Sequence, residues 1–221
     1  MAESDIESAL VVRRLKNDLS PSDYLNNFQR SSGQLRYLWN GHDVPSDLKT
    51  SFAVNWTPEY LYTCFECNYT VLNVNSAPQT TEKTIGLWDC DVVEIFIAPN
   101  PGDPNRYLEI EVSPLGEWVD VELHIEKRQR SSNWQWHSNV EAACAIDNAN
   151  KIWRTAFRIP SENLFGASIN EGQECLGNFY RCDGTEPARN YITWRPTMTP
   201  EPNFHVPERF GKFRFVDDFG D

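Results

Sequence analysis

The stretch that most limits what this chain can fold into runs from Leu87 to Ile125 and alternates almost without interruption. From Asp91, the side chains of Val93, Ile95 and Ile97 point one way and those of Val92, Glu94 and Phe96 the other, the two-residue period of a strand. A second run, Tyr107 to Ser113, sets Leu108, Ile110 and Val112 against Tyr107, Glu109, Glu111 and Ser113. A third, Trp118 to Ile125, is expected to turn Val119, Val121, Leu123 and Ile125 inward and Trp118, Asp120, Glu122 and His124 outward. The P-N-P-G-D-P-N linker between the first two is turn chemistry throughout. The result is a meander with one aliphatic face and a second face rich in carboxylates and aromatics, with Trp88 at its mouth.

The rest of the chain supports an all-β reading. Val11 to Leu15 suits an edge strand, and residues 1–50 are otherwise the least regular part. Y-L-N-N-F and L-R-Y-L-W fit either short helix or strand. Ser51–Trp56 and Tyr60–Tyr69 form a hairpin around T-P-E, followed by a long polar loop over residues 70–86, and such loops are often functional. Residues 126–139 are expected to be a polar loop. Strands follow at Val140–Ile146, Ile152–Ile159 and Gly177–Cys182, with one helical turn in P-S-E-N-L-F-G and closing segments at Tyr191–Trp194 and Phe213–Val216. The expected fold is an antiparallel β-sandwich, jelly-roll or immunoglobulin-like, of roughly ten strands with minimal helix. One such domain is expected to span residues 1–221.

Charge and composition narrow the partners. A formal net charge of -12 disfavours nucleic acid and anionic membrane, which need a basic footprint. Eight Trp in an acidic β protein favour a neutral ligand stacked on aromatic planes. No run approaches a membrane span. M-A-E-S-D-I-E-S lacks the basic and apolar regions of a secretory leader, so the expected location is cytoplasmic unless the chain has been trimmed.

Several motifs in order resemble one family. W-x-x-D-x-V-E-I-F-I, Y-x-E-x-x-V-S-P-x-G, G-N-F-Y-R, I-T-W-R-P-T and N-F-H-V-P-E-R-F-G-K-F-R-F together look like the family 9 carbohydrate-binding modules, within the wider DOMON-like superfamily, from about residue 50 onward. The resemblance implies a non-catalytic β-sandwich that clamps a mono- or oligosaccharide between two tryptophans. It also implies a link to carbohydrate catabolism, a separate catalytic partner and, in some members, structural calcium. Trp88 and Glu94 keep the six-residue spacing of the first clamp tryptophan and its hydroxyl-binding glutamate, and Trp194 is the candidate for the second clamp. An indole covers the apolar face of a pyranose, and an ionised carboxylate accepts from adjacent hydroxyls. Where those members carry an arginine and an asparagine, this chain has Glu111 and Ser113. Either the ligand differs, or Arg154, Arg158 or Arg181 supplies the missing charge from a neighbouring strand, or the fold is kept and the sugar lost. Arg181 is the candidate partner of Glu94 or Glu111, the other reading being a structural ion pair.

Other groups admit other readings. Asp89, Asp91, Glu94, Glu109 and Glu111 are candidates for calcium, although no EF-hand spacing is present. Glu94 and Glu111 on adjacent strands also meet the carboxylate requirement of a glycoside hydrolase, the alternative function. A sugar-free interaction scaffold is the third. Cys64 and Cys67 lack a second pair for zinc and face opposite sides of a strand. Cys175 and Cys182 are candidates to pair across a turn. Met1 and Met198 are the only methionines, which argues against haem, and His205 is expected to fix the C-terminal loop. Of Trp134 and Trp136, one is expected to pack and one to be exposed.

Overall fold

A computed structural model describes residues 9–28 and 31–218; the N-terminal M-A-E-S-D-I-E-S, including Met1, lies outside them. In chain order the elements are β1 (Leu10–Arg14), α1 (Pro21–Asn26), β2 (Gly33–Leu35), β3 (Tyr37–Leu38), β4 (Thr50–Trp56), β5 (Tyr60–Asn68), β6 (Val92–Ala98), β7 (Arg106–Val112), β8 (Trp118–Glu126), β9 (Gln129–Asn133), β10 (Glu141–Asp147), β11 (Ile152–Pro160), α2 (Ser161–Phe165), β12 (Glu174–Asp183), β13 (Asn190–Thr193) and β14 (Gly211–Val216). Among the described residues fourteen strands replace the roughly ten expected, chiefly because the short strands β2, β3 and β9 carry little hydrophobic pattern. Among the described residues no helix is long and apolar enough to cross a membrane.

The strands follow one hydrogen-bonded path, β10-β11-β5-β4-β1-β14-β12-β6-β7-β8-β9. The path folds into two layers, and one core between them draws Phe52, Phe65, Trp153 and Phe157 from the first and Val93, Ile95, Ile110, Phe179 and Phe213 from the second. Such large side chains on a two-residue period can all be dry only if a second sheet covers them. β1 is not at an edge. It lies parallel to both β4 and β14 and joins the two layers, so the sheet is mixed rather than wholly antiparallel. The helices are short: Ser20 Oγ accepts from the Asp23 amide at 3.1 Å and Pro21 starts α1. The expected loop at 126–139 contains β9, which hairpins onto β8.

Register corrects one face assignment. Ile110 lies opposite Asp120, and Glu111 opposite Val119. Directly opposed residues share a face, so Val119, Val121 and Leu123 stand with the glutamates, not with the interior aliphatics. They form a second apolar cluster with Leu87, Phe96, Tyr107, Tyr180 and Phe204 on the outer face of that layer. Trp118 packs on the main core instead. The Cys64 and Cys67 thiols face opposite sides as expected, each in a different cluster. Cys175 and Cys182 sit on one continuous strand, β12, and both are free thiols, so the bridge across a turn does not form.

Candidate functional site

The outer face of β6, β7 and β8 forms the floor and flank of a cavity of about 580 Å³, a size ordinary for small-molecule sites. Glu94 and Glu111 are directly opposed across β6 and β7, and Glu109 follows two residues along on the same face. A carboxylate oxygen from each lies within 4.8 Å of the others. All three side chains are buried. Glu109 and Glu111 interact directly, and the Oε2 of each is buried without a hydrogen-bond partner, with His205 Nδ1 3.8 Å from that of Glu109. Cys182 donates its thiol to Glu94 Oε1 at 3.4 Å. Burial first, then the neighbouring carboxylates, hold Glu94 and Glu111 above the ordinary carboxylate range, and burial does the same to Glu109.

Two indoles form the rim. Trp88 and Trp134 are 38% and 39% exposed, with ring centroids 5.9 Å apart and planes inclined by 38°. Trp88 rides on a short 3-10 turn, Leu87–Asp89. The turn is anchored by the buried Leu87 and entered through Gly86 at φ 88°, a backbone that L side chains rarely adopt. Arg189 holds this turn. Its guanidinium donates to the carbonyls of Asp89 at 3.1 Å, Cys90 at 2.7 Å and Gly184 at 2.6 Å, and also to that of Trp88. Lys83, from the long polar loop, does the same for the other indole. It donates to the carbonyls of Trp134 at 3.0 Å and Trp136 at 2.8 Å. Trp136 packs on the main core. The C-terminal loop adds Asn203, Phe204 and His205. His205 Nδ1 shares a hydrogen bond with the Tyr107 hydroxyl at 2.9 Å, and burial followed by the charge of Arg130 drives its pKa down to about 3, leaving it neutral.

The structure brings Trp88, Glu94 and Glu111 together and leaves Arg181 and Trp194 outside. Arg181 is opposite Val93, while its neighbour Tyr180 is opposite Glu94. One step along a strand reverses the face, so the guanidinium enters the interior. There it pairs with Asp183, two residues along its own strand, and donates to Thr50 Oγ1 at 2.8 Å and the Asn68 carbonyl at 2.8 Å. Trp194 packs among Phe52, Phe179 and Phe213, with the Arg195 guanidinium 4.5 Å over its ring. Arg154 and Arg158 lie in the other layer, paired with Glu66 and Glu141. Ser113 is taken up by the β7–β8 turn, its Oγ accepting from the Leu115 and Glu117 amides.

Of the acids weighed for calcium, Asp91 accepts from the Asn73 and Gly184 amides and is spent on loop structure. The glutamate triad is an all-oxygen donor set, but calcium takes six to eight oxygens, and the surroundings are Phe96, Val121, Phe204 and the Cys182 thiol. The protein alone does not complete a calcium shell there. Sequence reasoning missed Arg189, Lys83 and the pairing of Trp134 with Trp88. The signal that bears on the last is polar β9, whose hairpin onto β8 carries Trp134 back over the cavity.

A family model described as carbohydrate-binding family 9 matches residues 39–215, and the chain belongs to this family. An "Extracellular protein" of Arthroderma benhamiae is 25% identical over 142 residues, which is 59% of this chain and 63% of that protein, so the match spans less than two thirds of the relative. Among solved structures, a Bacteroides uniformis protein, provisionally assigned as carbohydrate-binding, superposes with a TM-score of 0.72 at 20% identity, covering 94% of this chain and 99% of that one. A family 9 module from Caldicellulosiruptor kristjanssonii gives 0.62 in its glucose complex and 0.63 in its cellotriose complex. Both are 16% identical and cover 96% of this chain, and 97% and 95% of theirs. At these identities the likeness is one of fold.

Proposed function

We propose that this chain binds carbohydrate without transforming it, in the cavity between the Trp88–Trp134 rim and the Glu94–Glu109–Glu111 floor. The observation that carries the reading is the pair of half-exposed indoles beside a buried acidic floor. Indole faces take the apolar face of a sugar ring, and carboxyl groups below take its polar edge. The glucose and cellotriose complexes of the Caldicellulosiruptor kristjanssonii module support a glucose-configured ligand. The clamp proposed here is Trp88 with Trp134, not Trp88 with Trp194.

A hydrolase reading finds little support in this geometry. Glycosidases hold two carboxyls about 5–5.5 or 6.5–9.5 Å apart on either side of the scissile bond, whereas carboxylate oxygens of all three glutamates here gather within 4.8 Å of one another. The test is intrinsic tryptophan fluorescence and calorimetry with a panel of mono- and disaccharides, with the released products assayed in parallel. Saturable binding without turnover, lost in Trp88→Ala, is the expected result. Turnover abolished by Glu94→Gln would replace this reading with the hydrolase.

A further inference from the structure

Three acids occupy the floor of the cavity and two guanidinium groups, Arg130 and Arg189, stand on its lining. Arg189 spends its hydrogen bonds on backbone carbonyls, and neither arginine reaches the triad closely enough to form an ion pair among the described residues. Asp89 and Glu186 line the cavity too, so five carboxyl groups stand against two guanidinium groups and the lining favours a cationic ligand.

The spacing agrees. A primary ammonium has three N–H donors and no acceptor. With charge-assisted bonds near 2.8 Å in a tetrahedral fan, its acceptors stand about 4.6 Å apart. The three carboxylate oxygens lie within 4.8 Å of one another, and the Oε2 atoms of Glu109 and Glu111 are buried without a donor. Desolvation disfavours the ionised triad. A sugar hydroxyl brings no charge to offset that, whereas an ammonium does.

We propose that the cavity selects an aminated sugar, its ammonium group seated on Glu94, Glu109 and Glu111 and its ring against Trp88. This rests on the carbohydrate reading above and specifies its ligand class. The amino group is the recognised feature, and the indole face is indifferent to it.

The experiment is calorimetric titration of the whole protein at neutral pH with D-glucose, D-glucosamine and N-acetyl-D-glucosamine, which differ only at C2. Glucosamine is expected to bind about tenfold or more tighter than the other two, the margin of one charge-assisted contact over a neutral one. Glu111→Gln and Glu109→Gln, each checked for folding by its thermal transition, are expected to bring that ratio toward unity. Glucose binding as tightly as glucosamine, or a ratio unmoved in both folded variants, overturns the proposal while leaving carbohydrate binding intact. No binding of any saccharide overturns both. Binding abolished by EDTA and restored by calcium would give the triad to a metal and likewise overturn it.

Discussion

Lys83 Nζ lies 2.5 Å from Asp120 Oδ1, and this buried pair joins the long polar loop, the interior face of β8 and the Trp134 segment at one point. Asp120 Oδ2 in turn accepts from the Ser138 amide at 2.6 Å and hydroxyl at 2.7 Å. Removing one partner strands the other charge in the interior. Lys83→Ala and Asp120→Ala are each expected to cost about 3–5 kcal/mol in urea denaturation. The double variant should lose less than the sum of the two, because both act on one network.

Arg189 positions Trp88 without needing to touch the ligand. Lysine is a point charge that cannot reach four carbonyls in a fixed fork. Arg189→Lys is expected to weaken saccharide binding about tenfold, or about 1.4 kcal/mol. Its distinguishing mark is a broadened 19F resonance for 5-fluorotryptophan at position 88 in the free protein. Loss of a direct ligand contact would leave that resonance sharp.

The two tryptophans named from the sequence should now separate by experiment. Trp88→Ala is expected to cost about 2 kcal/mol of binding with little change in stability, since the indole is half exposed. Trp194→Ala is expected to cost about 3 kcal/mol of stability through the cavity left among three phenylalanines. The folded Trp194→Ala protein should bind as before. Paired denaturation and fluorescence titration check both.

The triad makes stability depend on pH in a stated direction. Glu94 is pushed up to about 8 and Glu109 to about 7, whereas both titrate near 4.3 when unfolded. Between these limits the folded state holds more protons than the unfolded one, so stability falls as pH rises, by up to about 1.4 kcal/mol per pH unit for each excess proton. The other groups facing the triad are the Cys182 thiol, the phenols of Tyr107 and Tyr180, neutral His205 and the guanidinium groups of Arg130 and Arg189. The phenols and the thiol titrate far above this window and His205 far below it. Thermal melts from pH 5 to about 8 should therefore decline in the unmodified protein and flatten in Glu111→Gln.

The alternation in the sequence revealed which residues share a face within each strand, but not how neighbouring strands align. Glu94 and Glu111 were legible as near neighbours because β6 and β7 are consecutive strands joined by one turn-rich linker, residues 99–105. Arg181 was not, because β12 reaches β6 from far along the chain, and a single step decides between cavity and interior. Val119, Val121 and Leu123 read as interior because the layer has apolar patches on both faces. β1 read as an edge because parallel pairing with β4 and β14 leaves no local trace. Lys83 and Arg189 act on backbone carbonyls, which have no residue signature.

β7 carries Glu109 and Glu111 and is hydrogen-bonded along its length to β6 on one side and β8 on the other. A strand braced on both edges can exchange what it displays without shifting its own path. A change of side chain at Glu109 or Glu111 would alter the charge of the cavity floor while the scaffold beneath stays still. Ligand preference in such an architecture can diversify one side chain at a time.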